Sequence, residues 1–143
     1  MIQNTKRLRW LAVLLLSLML AFQIEAAQKV FVEKNGTYTS KEQVAAYIHK
    51  FGKLPGNYIT KGQARELGWV SSQGNLNKVA PGKSIGGDTF TNRQHVLPDS
   101  DDKYIECDIN ANGTSRGAER IVYNTGDYKV YYTDDHYSTF KEV

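Results

Sequence analysis

The last third of the chain collects side chains that can do acid–base chemistry. Glu106 and Asp108 are followed by Arg116 and Arg120, and then by His136. A carboxylate can act as a general base, a histidine with a reference pKa of about 6.5 can act as a general acid, and arginine forks match phosphate oxygens. These residue types suit cleavage of a phosphodiester without a metal. The sequence spacing alone does not show that they converge, and charged residues on a sheet surface are often only solvated.

The segment at 103–109 alternates in a way that predicts a strand. Its two faces would carry Tyr104, Glu106 and Asp108 on one side and Ile105, Cys107 and Ile109 on the other. We expect the second face to be core and the first to be polar. Cys107 is then a small buried hydrophobe rather than a nucleophile, and as the chain's only cysteine it forms no internal disulfide.

The first 27 residues have the pattern of a secretory signal peptide. Positive residues precede a short apolar run, and small residues follow it, which predicts cleavage after Ala26 or Ala27. An uncleaved anchor is the alternative. Without this segment 15 basic and 14 acidic residues remain, so the global charge argues neither for nor against a nucleic-acid partner. We expect a secreted, extracellular protein that no longer contacts a membrane after the signal is removed.

Helical patterns come first along the exported part and strand patterns afterwards. This order predicts a single α+β domain over 40–143, with N-terminal helices packed on one face of a C-terminal antiparallel β-sheet. Residues 28–39 are expected to form a leader or loosely ordered segment. Ser40 and Thr60 are candidate helix caps. The predicted helices are 41–52 and 61–68 with a further turn within 74–82, residues 53–59 are a connection, and the predicted strands are 84–90, 103–109, 118–124, 127–133 and 137–143.

Several longer stretches resemble one family. The segment "KLPGNYITKGQARELGWVSSQGNLNKVAPGKSIGGDTFTNR" and the later "ECDIN", "ERIVY" and "TDDHYSTF" are similar to barnase-like secreted bacterial ribonucleases, which belong to the microbial ribonucleases and prefer guanosine. The likeness runs from about Ser40 to Val143. It implies an endoribonuclease that cuts single-stranded RNA after guanosine, through a 2′,3′-cyclic phosphate that is then hydrolysed to a 3′-phosphate, with no cofactor and no metal.

The resemblance also implies roles for individual residues. Glu106 matches the general base and His136 the general acid, and Tyr137 matches the substrate-binding tyrosine beside the acid. The cations that bind phosphate and stabilise the transition state match Lys61, Arg116 and Arg120. Asp88 and Asp108 match the structural partners that orient these cations. Three of these residues, Lys61, Arg116 and Tyr137, have a simpler alternative. Lys61 would be solvated in the first turn of a helix, Arg116 would be a surface residue of a glycine-rich loop, and Tyr137 would only pack its ring.

In this family one loop recognises the base. The resemblance implies that the corresponding loop here contains Phe90, Thr91, Asn92, Arg93 and Gln94. Thr91 replaces the usual serine, which matters little where backbone groups bind the base. Gln94 replaces a glutamate whose carboxylate would accept two hydrogen bonds from guanine, whereas an amide offers one acceptor and one donor. An unmatched pair of this kind costs on the order of 1 to 3 kcal/mol, so we expect a real but weakened guanine preference.

The stretch that follows is more acidic than its counterparts in the family. Asp99, Asp101 and Asp102 stand where the family is basic, with an arginine near the position of Asp102 or, in a rival alignment, of Lys103. These carboxylates would lower the local positive potential and slow RNA association. A calcium loop is an alternative, but the glycine and the spacing of an EF-hand are missing.

The other two histidines, His49 and His95, are not expected to take part in catalysis. His49 and His95 are interpreted as solvated, Trp69 as a core aromatic, and no zinc spacing is visible. The resemblance implies single-stranded RNA as substrate, a monomer, and a barstar-like acidic protein inhibitor as a partner. A different hypothesis is a secreted domain that binds RNA or a partner without catalysis.

Overall fold

The computed structural model describes residues 30–143, so the predicted signal peptide lies outside the described residues. The helices are α1 (Lys41–Phe51), α2 (Lys61–Glu66) and α3 (Leu76–Val79), with a 3₁₀ turn at Ser71–Gln73. Within residues 30–143, no helix has the length and apolar character needed to cross a membrane.

Local sequence explains where the first two helices begin. The Ser40 hydroxyl accepts a hydrogen bond from the Gln43 N–H at 3.3 Å, and α1 ends at Gly52 with a φ of 69°, which favours glycine. Thr60 and Gln63 form a reciprocal capping box at the start of α2. Both predicted caps are confirmed. Helix α2 ends at Glu66, earlier than predicted.

The described residues form a sheet of six strands in sequence order. The strands are β1 (Tyr58–Ile59), β2 (Ser84–Phe90), β3 (Tyr104–Asp108), β4 (Arg120–Asn124), β5 (Val130–Thr133) and β6 (Lys141–Glu142). Strands β1 and β2 are parallel and every later neighbouring pair is antiparallel. Helix α1 packs on β4 and β5, and α2 contacts β2. The predicted α+β class is confirmed.

Two strand predictions need correction. The connection predicted over 53–59 ends in the two-residue strand β1, which is too short to leave a periodic signal. The last predicted strand, over 137–143, is reduced to Lys141–Glu142. Residues before it form a turn because the Asp135 carboxylate accepts hydrogen bonds from the Thr139 backbone and side chain, which bends the chain there.

The main core lies between α1 and one face of the sheet. It contains Val44 and Ile48 of the helix with Cys107, Ile121 and Val130 of the sheet. Cys107 is 1% exposed, as predicted, and burial raises the pKa of its thiol. Trp69 is buried in a second cluster, also as predicted.

The opposite face of β3 is less polar than predicted. Tyr104 is only 5% exposed and packs with Leu97, Val122 and Tyr131, and its hydroxyl donates to the Pro98 carbonyl at 2.7 Å. The prediction of a polar face was wrong for this residue, because the loop that carries Leu97 folds over the strand. A small apolar cluster therefore lies beside the carboxylates of the same face.

The segment before α1 belongs to the same compact unit, which spans Phe31–Val143. Val32 is buried, and the Lys34 carbonyl accepts a hydrogen bond from the Tyr47 hydroxyl of α1 at 2.6 Å. The Asn57 side chain bonds both the N–H and the C=O of Tyr38, at 3.2 and 2.9 Å. Residues 32–38 are thus tied to α1 and to the start of β1.

Candidate active site

Glu106 lies at the centre of β3, where the start of α2 meets the sheet. Asp88 of β2 is its cross-strand partner. The Lys61 side chain donates from Nζ to Glu106 Oε1 at 3.2 Å, and the Lys61 backbone N–H donates to Asp88 Oδ2 at 3.0 Å. Because the first N–H groups of a helix lack partners within it, Asp88 docks α2 where the Lys61 side chain meets Glu106.

An irregularity in β2 helps to place Asp88 opposite Glu106. The register between β2 and β3 shifts between Gly86 and Asp88, and Gly87 has a φ of 108°, which side-chain-bearing residues rarely adopt. A bulge of this kind redirects the residues that follow it. It brings Asp88 opposite Glu106. Gly86 and Gly87 therefore help to position this carboxylate, which the sequence alone did not indicate.

Asp108, two residues along β3, binds both predicted arginines. Its carboxylate accepts a bidentate pair from Arg116, at 2.8 Å from Nε and 2.7 Å from Nη2. These hydrogen bonds raise the pKa of the Arg116 guanidinium. Arg120 Nε lies 3.1 Å from Asp108 Oδ1. Asp108 is only 2% exposed and Arg120 3%, so the three residues form a charge cluster that is buried except for the partly exposed Arg116.

The Arg120 contact with Asp108 is an ion pair but not a hydrogen bond. Despite the short distance, the Nε–H has no hydrogen-bond partner among the described residues, so it is not aimed at the oxygen. Arg120 Nη1 instead donates to the carbonyls of Gly117 and Glu119, both at 2.8 Å. Carbonyls and a carboxylate together fix the guanidinium.

Tyr137 connects the sheet residues to the candidate acid. Burial raises the pKa of its phenol, the Glu106 carboxylate adds to this, and Arg120 acts in the opposite direction. The Arg120 guanidinium lies over the Tyr137 ring at 5.9 Å, and the His136 ring meets the same ring edge-on at 4.9 Å. Glu106, Arg120 and His136 therefore surround one tyrosine.

His136 is exposed in the loop between β5 and β6. Its φ is 54° and its N–H donates to the Ala118 carbonyl at 3.1 Å. The preceding Asp135 accepts from Thr133 Oγ1 at 2.7 Å and from the Thr139 N–H at 2.9 Å. The Thr139 hydrogen bonds are the main cause that lowers the pKa of Asp135 to about 2. Sequence reasoning missed Asp135, although aspartate beside threonines is a turn signal.

A cleft of about 360 Å³ opens beside His136. It is lined by all five residues of the predicted base-recognition loop and by the loop of the candidate acid, namely Phe90, Thr91, Asn92, Arg93, Gln94, Val96, His136, Tyr137 and Ser138. None of these lining residues in the described chain is acidic. The structure thus brings the predicted recognition loop and His136 to one cavity.

Within this loop, Asn92 shapes the backbone. Its side-chain amide donates to the Leu97 carbonyl at 3.0 Å and its amide oxygen accepts from the Leu97 N–H at 3.1 Å, with a φ of 49° at Asn92 itself. Phe90 stacks on Tyr137 at 5.2 Å. The exposed side chains of Thr91, Arg93 and Gln94 stay available at the surface.

The two other histidines are exposed, as expected. His49 lies on the outer side of α1. His95, however, has a partner that was not predicted: its Nδ1 lies 2.6 Å from Asp99 Oδ1. Among residues 30–143, no three or more His, Cys, Asp or Glu side chains are grouped so that they could hold a metal ion.

Carboxylate, guanidinium and imidazole groups gathered around one tyrosine, on an α+β fold, are typical of sites that handle phosphate esters. A family model for ribonucleases matches residues 41–143. A ribonuclease of Heyndrickxia coagulans is 52% identical over 101 residues, covering 70% of this chain and 92% of that protein. Ribonucleases of Bacillus intermedius and Bacillus pumilus are 52% identical over 101 residues, 70% of this chain and 62% of theirs. The chain belongs to this family of barnase-like bacterial ribonucleases.

Proposed function

We propose that this chain is a secreted endoribonuclease that cleaves single-stranded RNA, preferentially after guanosine, by acid–base chemistry without a metal. Family membership supports the endoribonuclease activity. The observation that carries the mechanism is the position of Tyr137, whose ring lies 4.9 Å from the His136 ring and 5.9 Å from the Arg120 guanidinium, while the Glu106 carboxylate helps to raise the pKa of its phenol. A phosphate placed against this tyrosine has a carboxylate and an imidazole beside it.

In the first step, Glu106 takes the proton of the ribose 2′-hydroxyl as its oxygen attacks phosphorus. The bond from phosphorus to the 5′-oxygen breaks, and His136 donates a proton to that oxygen, leaving a 2′,3′-cyclic phosphate. In the second step the roles exchange. His136 takes a proton from water, the water oxygen attacks phosphorus, and the bond from phosphorus to the 2′-oxygen breaks. Glu106 returns a proton to that oxygen, which yields a 3′-phosphate.

The cations supply electrostatic stabilisation as negative charge grows on the phosphate oxygens. Lys61 touches the candidate base at 3.2 Å, so it orients Glu106 and lies beside the reacting phosphate. Asp108 holds Arg116 and Arg120 in fixed positions, which lowers the cost of ordering them during reaction. Asp88 acts through Lys61 by docking the start of α2.

Base recognition is assigned to the cleft lined by residues 90–94. Asn92 is engaged with Leu97, so it shapes the loop while backbone groups and Gln94 face the base. An amide at position 94 matches the guanine edge less well than a carboxylate. The proposed preference for guanosine is therefore weaker than a carboxylate in this cleft would give.

Location and partners form part of the same proposal. The apolar N-terminal run supports secretion, and the exported protein acts as a monomer. The clustered cations beside the cleft would also accept the carboxylates of an acidic, barstar-like protein inhibitor inside the producing cell.

The test is digestion of a short RNA that contains one guanosine, in excess EDTA, with identification of the product ends. Glu106→Ala and His136→Ala are compared with Glu66→Ala and His49→Ala, which remove exposed residues of the same types. We expect cyclic phosphate ends after guanosine from the native protein and both controls, and loss of cleavage in the two site variants. Full activity of His136→Ala contradicts the mechanism, and absence of cleavage by the native protein favours the non-catalytic binding domain.

A further inference from the structure

Basic and acidic residues are unevenly distributed between the helical half of the described chain and its sheet half. Residues 30–83 carry eight Lys and Arg against three acidic residues, whereas residues 84–143 carry six against eleven. The helical half therefore carries a net charge of +5 and the sheet half a net charge of −5. The candidate base, the candidate acid and both clustered arginines belong to the acidic half, so the excess of positive charge that attracts a polyanion is on the helical half.

A second cleft opens on that helical half. Its volume is about 380 Å³ and it is lined by Lys34, Asn35, Thr37, Tyr47, Lys53, Leu54 and Gly56. Lys83 reaches its rim, since Lys83 Nζ donates to the Gly56 carbonyl at 3.4 Å. No carboxylate of residues 30–143 forms an ion pair with Lys34, Lys53 or Lys83. The cleft is consequently cationic.

The walls of this cleft are built into the fold. One wall, residues 34–37, is held by the hydrogen bond from the fully buried Tyr47 to the Lys34 carbonyl. The other wall, residues 53–56, follows the left-handed end of α1 at Gly52. The buried Asn57 joins the two walls through its paired hydrogen bonds with Tyr38. The cationic side chains therefore project from a fixed backbone.

We propose that this cleft is a second binding site for the phosphate backbone of single-stranded RNA, separate from the site of cleavage. The inference rests on the proposed function, because it takes RNA as the substrate. Exposed ammonium groups attract phosphates and release the counterions condensed on the nucleic acid. The cleft recognises backbone charge and contributes no base selectivity.

Strand β2 sets the distance between the two sites. Lys83 immediately precedes β2, and Asp88, which docks Lys61, lies five residues further on. At about 3.3 Å per residue the strand covers roughly 17 Å between them. A strand with stacked bases advances about 3.4 Å per nucleotide, so roughly five nucleotides bridge the sites. A long RNA gains from the second site, and a dinucleotide does not.

The test uses protein expressed from the full chain and compares Lys34→Gln/Lys53→Gln with Lys129→Gln/Lys141→Gln. All four lysines are exposed and both pairs remove the same charge. The first probe is a twelve-residue single-stranded DNA, which lacks the 2′-hydroxyl and is not cleaved. For the cleft pair we expect weaker binding and a salt dependence, log K against log salt, that is shallower by about 1.4. We expect the control pair to keep the native slope.

Kinetics provide the second readout. For the cleft pair, KM for a twelve-residue RNA should rise severalfold with kcat unchanged, while kcat/KM for a guanosine-containing dinucleotide stays at the native value. Unchanged binding and KM, an equal loss in the control pair, or an equal loss on the dinucleotide overturns the proposal. If the native protein cleaves no RNA, the proposed function fails, but the DNA-binding comparison still decides whether the cleft binds phosphates.

Discussion

The two sides of the candidate active site are held in different ways. On the sheet, Glu106 and Asp108 lie within 3.2 Å of cationic partners, and the pair of Asp108 with Arg120 is almost fully buried. In the loop 134–140, His136 is exposed with a positive φ, and the hydrogen bonds from Thr139 to Asp135 are exposed too. One side is a buried charge cluster and the other is a surface turn.

Because the two sides are held differently, substitutions on them should affect different properties. Removing one partner of a buried charge cluster leaves an uncompensated charge and destabilises the fold strongly. Removing an exposed side chain from a surface turn leaves the core intact, so only its chemistry is lost. The sheet side should therefore respond to substitution mainly in unfolding free energy, and the loop side mainly in rate.

The sharpest test of the loop side is His136→Ala. Loss of a general acid lowers kcat by about 10²- to 10⁴-fold, while the free energy of unfolding should stay within about 0.5 kcal/mol of the native value. Single-turnover cleavage and urea titration measure the two quantities. His49→Ala, on the exposed side of α1, is the matched control. A large loss of stability in His136→Ala would break the comparison from the loop side.

The corresponding test of the sheet side is Asp108→Asn. It leaves the guanidinium of the buried Arg120 and that of Arg116 without their carboxylate, so the free energy of unfolding should fall by about 3 to 5 kcal/mol. Urea denaturation measures this loss. Asp101→Asn changes an exposed aspartate and should leave the midpoint unchanged. A stable Asp108→Asn protein would show that the cluster contributes little to folding.

The sequence predicted those parts of the fold that depend on neighbouring residues. The caps Ser40 and Thr60 are local hydrogen-bonding motifs, and both were predicted correctly. Strand β1 was missed because two residues carry no period, and its pairing with β2 is set by contacts distant in sequence. The burial of Tyr104 was missed for the same reason, since a separate loop covers it.

For the site, residue types were visible but their convergence was not. Alternation along β3 placed Glu106 and Asp108 on one face, yet no spacing relates Lys61 to Glu106 across 45 residues of sequence. That contact depends on the docking of α2 onto β2 through Asp88. The hydrogen bonds of Asp135 were also missed, because a turn signal shows where a chain bends and not what the turn positions.

Gln94→Glu refines the comparison within the exposed side. Residue 94 lines the same cleft as His136, so a carboxylate there should improve the match to guanine without changing the fold. We expect the preference for guanosine over adenosine to rise by roughly 1 to 3 kcal/mol, with an unchanged urea midpoint. Cleavage rates of two RNAs that differ at one base give the selectivity. Gln73→Glu adds the same charge on the exposed 3₁₀ turn, and an equal gain there would assign the effect to net charge.

The smallest effect is expected for Asp135→Asn, which tests what holds His136 in place. Hydrogen bonds lower the pKa of Asp135 from its ordinary value of 3.8 to about 2, so the stabilisation of the loop is fully present above pH 3.8 and is lost as the pH falls through about 2. Near neutral pH the variant should lose less than about tenfold in kcat, because the candidate acid His136 is present but less well oriented.

Hydrogen exchange at Thr139 separates orientation from a loss of global stability. Its amide donates to Asp135 at 2.9 Å, so its protection should fall in Asp135→Asn while protection in β4 stays at the native level. The neighbouring exposed Asp134→Asn serves as the control. Equal protection of Thr139 in all three proteins would mean that the loop is held without Asp135, by the His136 N–H bond to Ala118 and the Tyr137 N–H bond to Thr133 Oγ1, and the two sides of the site would then differ less than their hydrogen bonds indicate.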